Sequence, residues 1–402
     1  MIKNLTDVRG IKCWGAHIGI KKAKRDLAII FSEKQGDVAA VFTQNVFLSE
    51  CIKITKKHVS DGKAQAFVIN SGNANTCTGE QGRKGAEMMA KTLAQELNIK
   101  KEDVIVASTG VVGREFPTDI VVEGIKKNVP KLTKQKIGGS LAASAIMTTD
   151  TFVKEGYVTF EINGKKINMA GIAKGSGMIH PNMATMLAFI CCDISIEQPL
   201  LQKTLKEAVD KSFNMISVDG DTSTNDMVVI LCNGMAENER IKTENDKGYK
   251  IFKDKLEKLC MHLAKLIVSD GEGATKLIEY QVVDAPDDES ARKIARTISN
   301  SLLVKTAIYG RDPNWGRIIV AAGNAGIDFD PENIDLFIGT KKMVQMLNKS
   351  KPVNENLPKL RKMMRAGEIK VLLNLNCGNG KAVAWSCDIT EEYVRFNAAY
   401  TT

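Results

Sequence analysis

A threonine between a loop and an apolar run is the residue best placed for chemistry in this sequence. The segment KGSGMIHPNMATMLAFICC covers residues 174–192, and its loop-forming part ends at Ala184. Thr185 follows, directly before the apolar run 186–192. If the Ala184–Thr185 bond were cut, Thr185 would carry a hydroxyl beside a free α-amine with a pKa of about 7.7–8.0. Such an amine accepts the hydroxyl proton near neutral pH, so the pair could carry out acyl transfer.

The same residue has an ordinary structural explanation. β-Branched side chains suit pleated surfaces, and threonine is common at the start of a strand. The local pattern by itself favours this structural role, and the self-cleaving nucleophile is the alternative.

A second candidate is the hydroxyl-rich stretch 106–113, VASTGVVG, which ends an apolar run. Thr109 could offer its hydroxyl, and Gly110 its N–H, to an oxyanion that develops during acyl transfer. A plain turn from strand to helix explains the same residues, and their spacing alone favours the turn.

The apolar pattern predicts the elements that would position these groups. Short apolar runs bounded by turn residues indicate buried strands. These runs cover 28–31, 38–42, 66–69, 104–107, 157–162, 167–172, 186–192 and 227–232. Apolar residues at helical spacing predict helices over 81–97, 197–216, 252–268, 286–304 and 359–365.

Two turn-rich junctions predict β-hairpins. Asn163-Gly164 separates two of the strands, and Gly378-Asn379-Gly380 separates the runs 371–376 and 381–387. Because strands and helices do not alternate regularly, we predict an α+β fold with sheets sandwiched between helices.

Composition and spacing exclude several other classes of site. The four histidines and nine cysteines show no metal-ligand spacing, so no metal site is expected. The glycine-rich stretches 171–177 and 271–276 do not match a nucleotide-binding motif. The net charge is +9, but aromatic residues make up only 5% of the chain, which argues against a nucleic-acid partner.

The same features indicate a cytoplasmic protein without a membrane partner. The cysteines are odd in number and contain no C-x-x-C pair, which is typical of reduced thiols in a cytoplasm. No run approaches the roughly 20 apolar residues that span a bilayer. The first residues lack the apolar region of a secretory signal.

Taken together, several of these segments resemble one family. They are NSGNANTCTGEQG, STGVVG, MTTDT, KGSGMIHPNMATMLAFI, SVDGDTSTND, DGEGATK, DPNWGRI and the C-terminal NAAYTT. In this order they are similar to the ArgJ-type ornithine acetyltransferases, also called glutamate N-acetyltransferases. The resemblance runs from residue 41 to residue 402, which is nearly the whole chain.

The resemblance implies self-cleavage at Ala184–Thr185, with Thr185 as the nucleophile. It implies an α chain of residues 1–184 and a β chain of residues 185–402 that stay together, commonly as an α2β2 heterotetramer. Residues 185–285 would complete the core, and about 286–402 would form a smaller α+β subdomain. The implied fold is a layered α/β/β/α sandwich similar to the N-terminal-nucleophile hydrolases, although connected differently.

The resemblance also implies the residues of the site. Thr109 and Gly110 would form the oxyanion pair. The positions that correspond to substrate-binding residues are Thr148, Lys174, Thr185, Glu272, Asn397 and Thr402. From their charges, Lys174 could pair with a substrate carboxylate and Glu272 with an ammonium group.

The implied reaction moves an acetyl group from N2-acetylornithine to glutamate through an acetyl-threonine, in arginine biosynthesis. No cofactor is expected, although acetyl-CoA could serve as a second acetyl donor. The alternative is a self-processing aminopeptidase or amidase that uses the same threonine with water as the acceptor. A non-enzymatic nucleic-acid-binding protein is the third hypothesis, and the scarcity of aromatic residues disfavours it.

Overall fold

The computed structural model describes residues 3–180 and 186–399, so Ala184, Thr185 and Thr402 lie outside the described residues. The chain divides into two compact units. In the described part of the chain, the first unit comprises residues 3–175, 186–210 and 222–263, and the second comprises 176–180, 211–221 and 264–399.

The strands and helices are as follows. The strands are β1 (Ile11–Ala16), β2 (Leu27–Phe42), β3 (Lys63–Asn73), β4 (Val104–Val111), β5 (Lys154–Ile162), β6 (Lys165–Lys174), β7 (Leu187–Cys192), β8 (Ile216–Ser217), β9 (Met227–Cys232), β10 (Leu277–Ala285), β11 (Asp335–Gly339), β12 (Met343–Asn348), β13 (Lys351–Pro352), β14 (Glu368–Asn374) and β15 (Gly380–Cys387). The α-helices are α1 (Glu50–His58), α2 (Gly79–Leu97), α3 (Thr118–Asn128), α4 (Lys136–Ala145), α5 (Gln198–Asp210), α6 (Tyr249–Ser269), α7 (Asp288–Asn300), α8 (Leu302–Tyr309), α9 (Gly316–Gly323), α10 (Leu357–Met363) and α11 (Glu391–Ala398).

The first unit is built on a mixed sheet with the strand order β4-β3-β2-β9-β7-β6-β5, and β1 pairs with β2. Strand β4 runs parallel to β3, and β7 runs parallel to β9, whereas the other neighbours are antiparallel. The apolar run 186–192 therefore forms an interior strand, as predicted, and all its residues are buried.

Alternate residues of β2 enter two different cores. Leu27 and Ile29 pack with Met89 and Val121 of the helices α2 and α3, whereas Ala28 and Ile30 pack with a cluster that includes Ala142 of α4. Because both faces are covered, the strands are continuously apolar instead of alternating. This explains why short apolar runs marked them in the sequence.

The hairpin at Asn163-Gly164 is confirmed. Strands β5 and β6 are antiparallel, and both turn residues have a positive φ, +48° for Asn163 and +74° for Gly164. This is the turn in which an Asn-Gly pair matches the twist of a two-residue hairpin.

The second unit is built on a sheet with the order β13-β12-β11-β14-β10-β15-β8. The predicted hairpin at residues 378–380 is wrong, because β10 lies between β14 and β15 and pairs with both. The stretch 375–379 therefore crosses over one strand. The residues of a local turn do not indicate whether a strand from a distant part of the chain lies between the two strands that they connect.

Two predicted helices are shorter than expected. Helix α5 ends at Asp210, and residues 216–217 form β8 instead of extending the helix. The predicted helix 286–304 is divided at Ser301, whose side chain accepts a hydrogen bond from the Val304 N–H and begins α8.

The α+β class is confirmed by the mixed sheets and helices of the two units. The smaller subdomain was expected to begin at about residue 286, but the second unit also contains β10, which precedes that residue and is an interior strand of its sheet. The division into chains 1–184 and 185–402 depends on cleavage and stays a prediction. Within the described ranges, no helix is both long enough and apolar enough to cross a membrane.

Candidate active site

Strand β4 lies at the edge of the first unit's sheet, and its outer backbone groups are used by side chains. The Thr55 hydroxyl accepts from the Val106 N–H at 2.9 Å and donates to the Val106 carbonyl at 2.7 Å. The His58 ring pairs with the Val104 carbonyl at 2.7 Å. Residues 104 and 106 thus direct their backbone groups away from β3, as alternate residues of a parallel strand do.

The same alternation continues to the end of β4. The Ser108 carbonyl accepts a hydrogen bond from the Asn225 amide at 2.8 Å, and that amide also donates to the Ala74 carbonyl at 2.6 Å. Two residues further on lies Gly110, which pairs in register with Gly72 of β3. An N–H at a strand edge can serve as a donor to a ligand.

Gly110 is required at this position by both conformation and space. Its φ is +135°, and a Cβ built on it would lie 2.5 Å from the Asn73 nitrogen and 2.7 Å from the Gly72 Cα. The register of β3 against β4 shifts at this point. The plain turn from strand to helix is therefore not what the structure contains, because Thr109 and Gly110 both lie within β4.

The Thr109 hydroxyl is paired with a buried cation. The Lys174 ammonium donates to Thr109 Oγ1 at 3.2 Å, and both residues are almost fully buried. Lys174 is the last residue of β6, so the two ends of β4 and β6 bring these side chains together. An ammonium group has no acceptor, so the hydroxyl proton of Thr109 can be donated to another atom.

A buried carboxylate joins Thr148 to this group. Asp150 Oδ1 accepts from the Lys154 ammonium at 2.6 Å and from the Gly175 N–H at 2.8 Å, and Oδ2 accepts from the Thr148 N–H at 2.8 Å. Burial by itself would raise the pKa of Asp150, but the charges of Lys174 and Lys154 and the hydrogen bonds lower it to about 2. The Asp150 carboxylate thereby binds the N–H of Thr148 and the N–H of Gly175, the residue that follows Lys174.

In the second unit, Glu272 and Asn397 are in direct contact. The Asn397 amide donates to Glu272 Oε2 at 2.8 Å, and the Glu272 N–H donates to the Ser176 carbonyl at 2.9 Å. A Cβ on Gly177 would collide with the Glu272 carboxylate. The 270–276 loop is fixed further along by Asp388, which accepts from the N–H groups of residues 275 and 276.

Asp226 holds the first described residue after the predicted cleavage point. Its Oδ1 accepts from the Met186 N–H at 3.0 Å, and among the described residues its buried Oδ2 has no hydrogen-bond partner. Burial raises the pKa of Asp226 well above its usual range. Sequence reasoning gave Asp226 no role.

The structure thus brings together Thr109, Gly110, Lys174 and Thr148 in the first unit, and Glu272 and Asn397 in the second. Asp150 and Lys154 were missed, although Asp150 belongs to the MTTDT motif and its partner follows four residues later. In residues 3–180 and 186–399, no three His, Cys, Asp or Glu side chains are grouped to hold a metal ion.

Comparison with known proteins identifies the family. The sequence profile described as the ArgJ family matches residues 12–402.

The chain belongs to the ArgJ family.

Its relatives in this family are similar over their full length. The arginine biosynthesis bifunctional protein ArgJ of Caldanaerobacter subterraneus is 46% identical over 397 residues, which is 98% of this chain and 97% of the relative. The protein of the same name from Thermotoga neapolitana is 47% identical over 399 residues, covering 98% of this chain and 99% of the relative. The crystal structure of ArgJ from Bacillus halodurans is 38% identical, covers 45% of this chain and 95% of its own, and gives a TM-score of 0.44.

Proposed function

We propose that this ArgJ-family chain is a glutamate N-acetyltransferase of arginine biosynthesis, which moves the acetyl group of N2-acetylornithine to glutamate. Its full-length relatives are arginine biosynthesis bifunctional proteins. The observation that carries the proposal is the Thr109 hydroxyl, to which the buried Lys174 ammonium donates, directly before Gly110 in β4. Two adjacent donors of this kind suit the oxyanion of acyl transfer.

Self-cleavage would create the nucleophile. The Thr185 hydroxyl attacks the Ala184 carbonyl carbon, the peptide C–N bond breaks, and the amine of Thr185 leaves as the ester forms. Water then opens the ester, which gives a carboxylate on Ala184 and a free amine on Thr185. The hydrogen bond from Met186 to Asp226 supports this role, because it fixes the residue that follows the nucleophile.

Transfer would then proceed in two halves. The Thr185 hydroxyl gives its proton to its own amine and attacks the acetyl carbon, and Thr109 and Gly110 stabilise the oxyanion. The C–N bond to ornithine breaks, and ornithine leaves with the proton. The amine of glutamate attacks the acetyl-threonine, which releases N-acetylglutamate and restores the hydroxyl.

The remaining predicted positions would bind the amino-acid substrates. The Thr148 N–H donates to Asp150, and the Lys174 ammonium donates to the Thr109 hydroxyl. Glu272 and Asn397 form a carboxylate and amide pair that suits a substrate ammonium group. Thr402, the last residue, is proposed to contribute its hydroxyl.

Three finer features belong to the same proposal. Acetyl-CoA serves as a second acetyl donor, and no cofactor is required. The two chains stay together as an α2β2 heterotetramer. The protein works in the cytoplasm, as the free cysteines support.

The experiment that tests the proposal follows both cleavage and acetyl transfer. The purified wild-type protein should give two bands on a denaturing gel, and Thr185→Ala one. With N2-acetylornithine alone, mass spectrometry should find an acetyl group on the new N-terminal threonine, and added glutamate should remove it as N-acetylglutamate. An intact, active wild-type chain would contradict the proposal, whereas hydrolysis without transfer to glutamate would favour the amidase alternative.

A further inference from the structure

Lys21 is a lysine near this site that the proposed mechanism does not use. It ends a loop that is wrapped around the buried Asp26 carboxylate. The N–H groups of Ile18, Gly19, Ile20 and Lys21 all donate to that carboxylate, at 2.6, 3.2, 2.8 and 2.9 Å. Backbone groups and not the lysine side chain therefore fix the loop, and the Lys21 side chain starts from a defined position.

The side chain of Lys21 passes over a glycine of β3. Gly72 has a φ of +104°, and a Cβ built on it would lie 2.8 Å from Lys21 Cγ. Gly72 is also the residue that pairs in register with Gly110. Residue 72 must therefore be small, and the stem of Lys21 lies over the residue of β3 that pairs with the proposed oxyanion donor.

The ammonium group of Lys21 retains donors for a ligand. It donates to the Met147 carbonyl at 2.8 Å, directly before Thr148 in the chain. An ammonium group has three N–H donors, and no carboxylate in the described part of the chain forms an ion pair with this one. The residue is only half-buried, so part of its side chain is exposed to solvent.

The charges that affect Lys21 include Asp150 and Lys174 of the candidate site. Burial is the main cause that lowers the pKa of Lys21 to about 8; the charges of Asp26 and Asp150 oppose this shift, and those of Lys24 and Lys174 add to it. Lys174 and Lys21 are therefore neighbouring cations. Lys174 donates to the Thr109 hydroxyl, whereas Lys21 donates to the Met147 carbonyl.

We infer that Lys21 binds the α-carboxylate of the amino-acid substrate, beside the acetyl group that Thr109 and Gly110 receive. The inference rests on the proposed acetyltransferase function. N2-acetylornithine and glutamate differ in their side chains but share the α-carboxylate and the α-nitrogen at which the acetyl group is exchanged. In both, the carboxylate is separated from the reacting nitrogen only by the α-carbon. A cation beside the oxyanion donors is therefore placed to bind either substrate.

The test removes the positive charge of Lys21 and, separately, the negative charge of the substrate carboxylate, and compares the two effects. Lys21→Met should raise KM about 10- to 100-fold for N2-acetylornithine and also for glutamate, because a charge-assisted hydrogen bond is lost in each half-reaction. The carboxamide analogue of N2-acetylornithine should react poorly with the wild type and no worse with Lys21→Met. Lys21→Arg should recover most of the affinity, and Lys22→Met, in the same loop but exposed, should behave as wild type.

Several outcomes separate this inference from its alternatives. If Lys21→Met lowers the activity on the acid and the carboxamide equally, Lys21 does not bind the carboxylate and the inference fails. It fails as well if the variant keeps both KM values. Normal two-band cleavage of Lys21→Met and an unchanged urea midpoint exclude misfolding as the cause of a raised KM. A wild-type protein that does not transfer acetyl to glutamate would contradict the proposed function itself.

Discussion

The Lys174 ammonium lies 3.2 Å from Thr109 Oγ1, and both side chains are buried at the ends of two strands, β6 and β4. Because the ammonium can only donate, the threonine oxygen accepts and keeps its own proton for another acceptor. A neighbouring positive charge also makes the hydroxyl a stronger donor. The pair therefore behaves as one preorganised donor directed at a developing negative charge.

Thr109→Val tests this donor with a nearly isosteric side chain. We expect kcat to fall about 10²- to 10³-fold with little change in KM, because the hydroxyl acts on the oxyanion and not on the bound substrate. Steady-state kinetics on the cleaved protein measure both constants. Thr109→Ser keeps the hydroxyl and is the matched control. A valine variant with wild-type kcat would rule out the hydroxyl as an oxyanion donor.

Asp150→Asn tests the anionic anchor. Removing one partner of the buried pair with Lys154 should lower the free energy of unfolding by about 3–5 kcal/mol at pH 7. The pKa of Asp150 is lowered in the folded state, so its contribution is present above its unfolded pKa and is lost as the pH falls from about 4 to 2. The difference between the two proteins should therefore shrink in this interval.

Urea unfolding at several pH values measures this difference. Asp254→Asn, which breaks a largely exposed ion pair with Lys258, is the surface control and should change the stability little. An Asp150→Asn protein as stable as the control at pH 7 would show that the buried pair does not anchor the fold.

Asp226→Asn tests the buried carboxyl group that binds the Met186 N–H. Burial raises the folded pKa of Asp226, so its contribution to stability is complete below the unfolded pKa and is lost as the pH rises toward the folded value. Each unit of that rise corresponds to about 1.4 kcal/mol. Asparagine does not ionise and still offers an oxygen to the Met186 N–H.

The comparison of wild type and Asp226→Asn between pH 4 and pH 8 isolates this contribution. The variant should gain stability relative to wild type as the pH rises, measured by urea unfolding at each pH. A difference that does not depend on pH would mean that Asp226 does not have a raised pKa in the folded protein.

Gly177→Ala tests the placement of Glu272. The new methyl group would collide with the Glu272 carboxylate, which is the mobile end of a side chain and can move away. We therefore expect about a tenfold rise in KM with nearly unchanged stability, in the same direction as Glu272→Gln. Gly367→Ala, at a glycine with open space around it, is the control. If Gly177→Ala keeps the wild-type KM, the position of Glu272 is not important for substrate binding.

The sequence by itself predicted most strands of the first unit, although β1 was missed and the runs 28–31 and 38–42 belong to one strand, β2. Strands that are buried on both faces have continuous apolar sequences, so β3, β4, β7 and β9 were predictable from local composition. The Asn163-Gly164 turn was predictable because those residues tolerate a positive φ. The ordered motifs placed Thr109, Gly110, Lys174, Glu272 and Asn397 as candidates before any contact was known.

Only the tertiary structure decided which of these residues meet. Strand β10 lies between β14 and β15, and the Lys21 side chain passes Gly72 and reaches Met147. Both arrangements depend on contacts between segments that are far apart in the chain. The raised pKa of Asp226 and the lowered pKa of Asp150 likewise follow from burial and neighbouring charges, which the residue type alone does not reveal. Local sequence patterns indicate which face of a strand or helix is buried and where the chain turns. The distances between the residues of a functional site are set only when distant segments pack together in the folded protein.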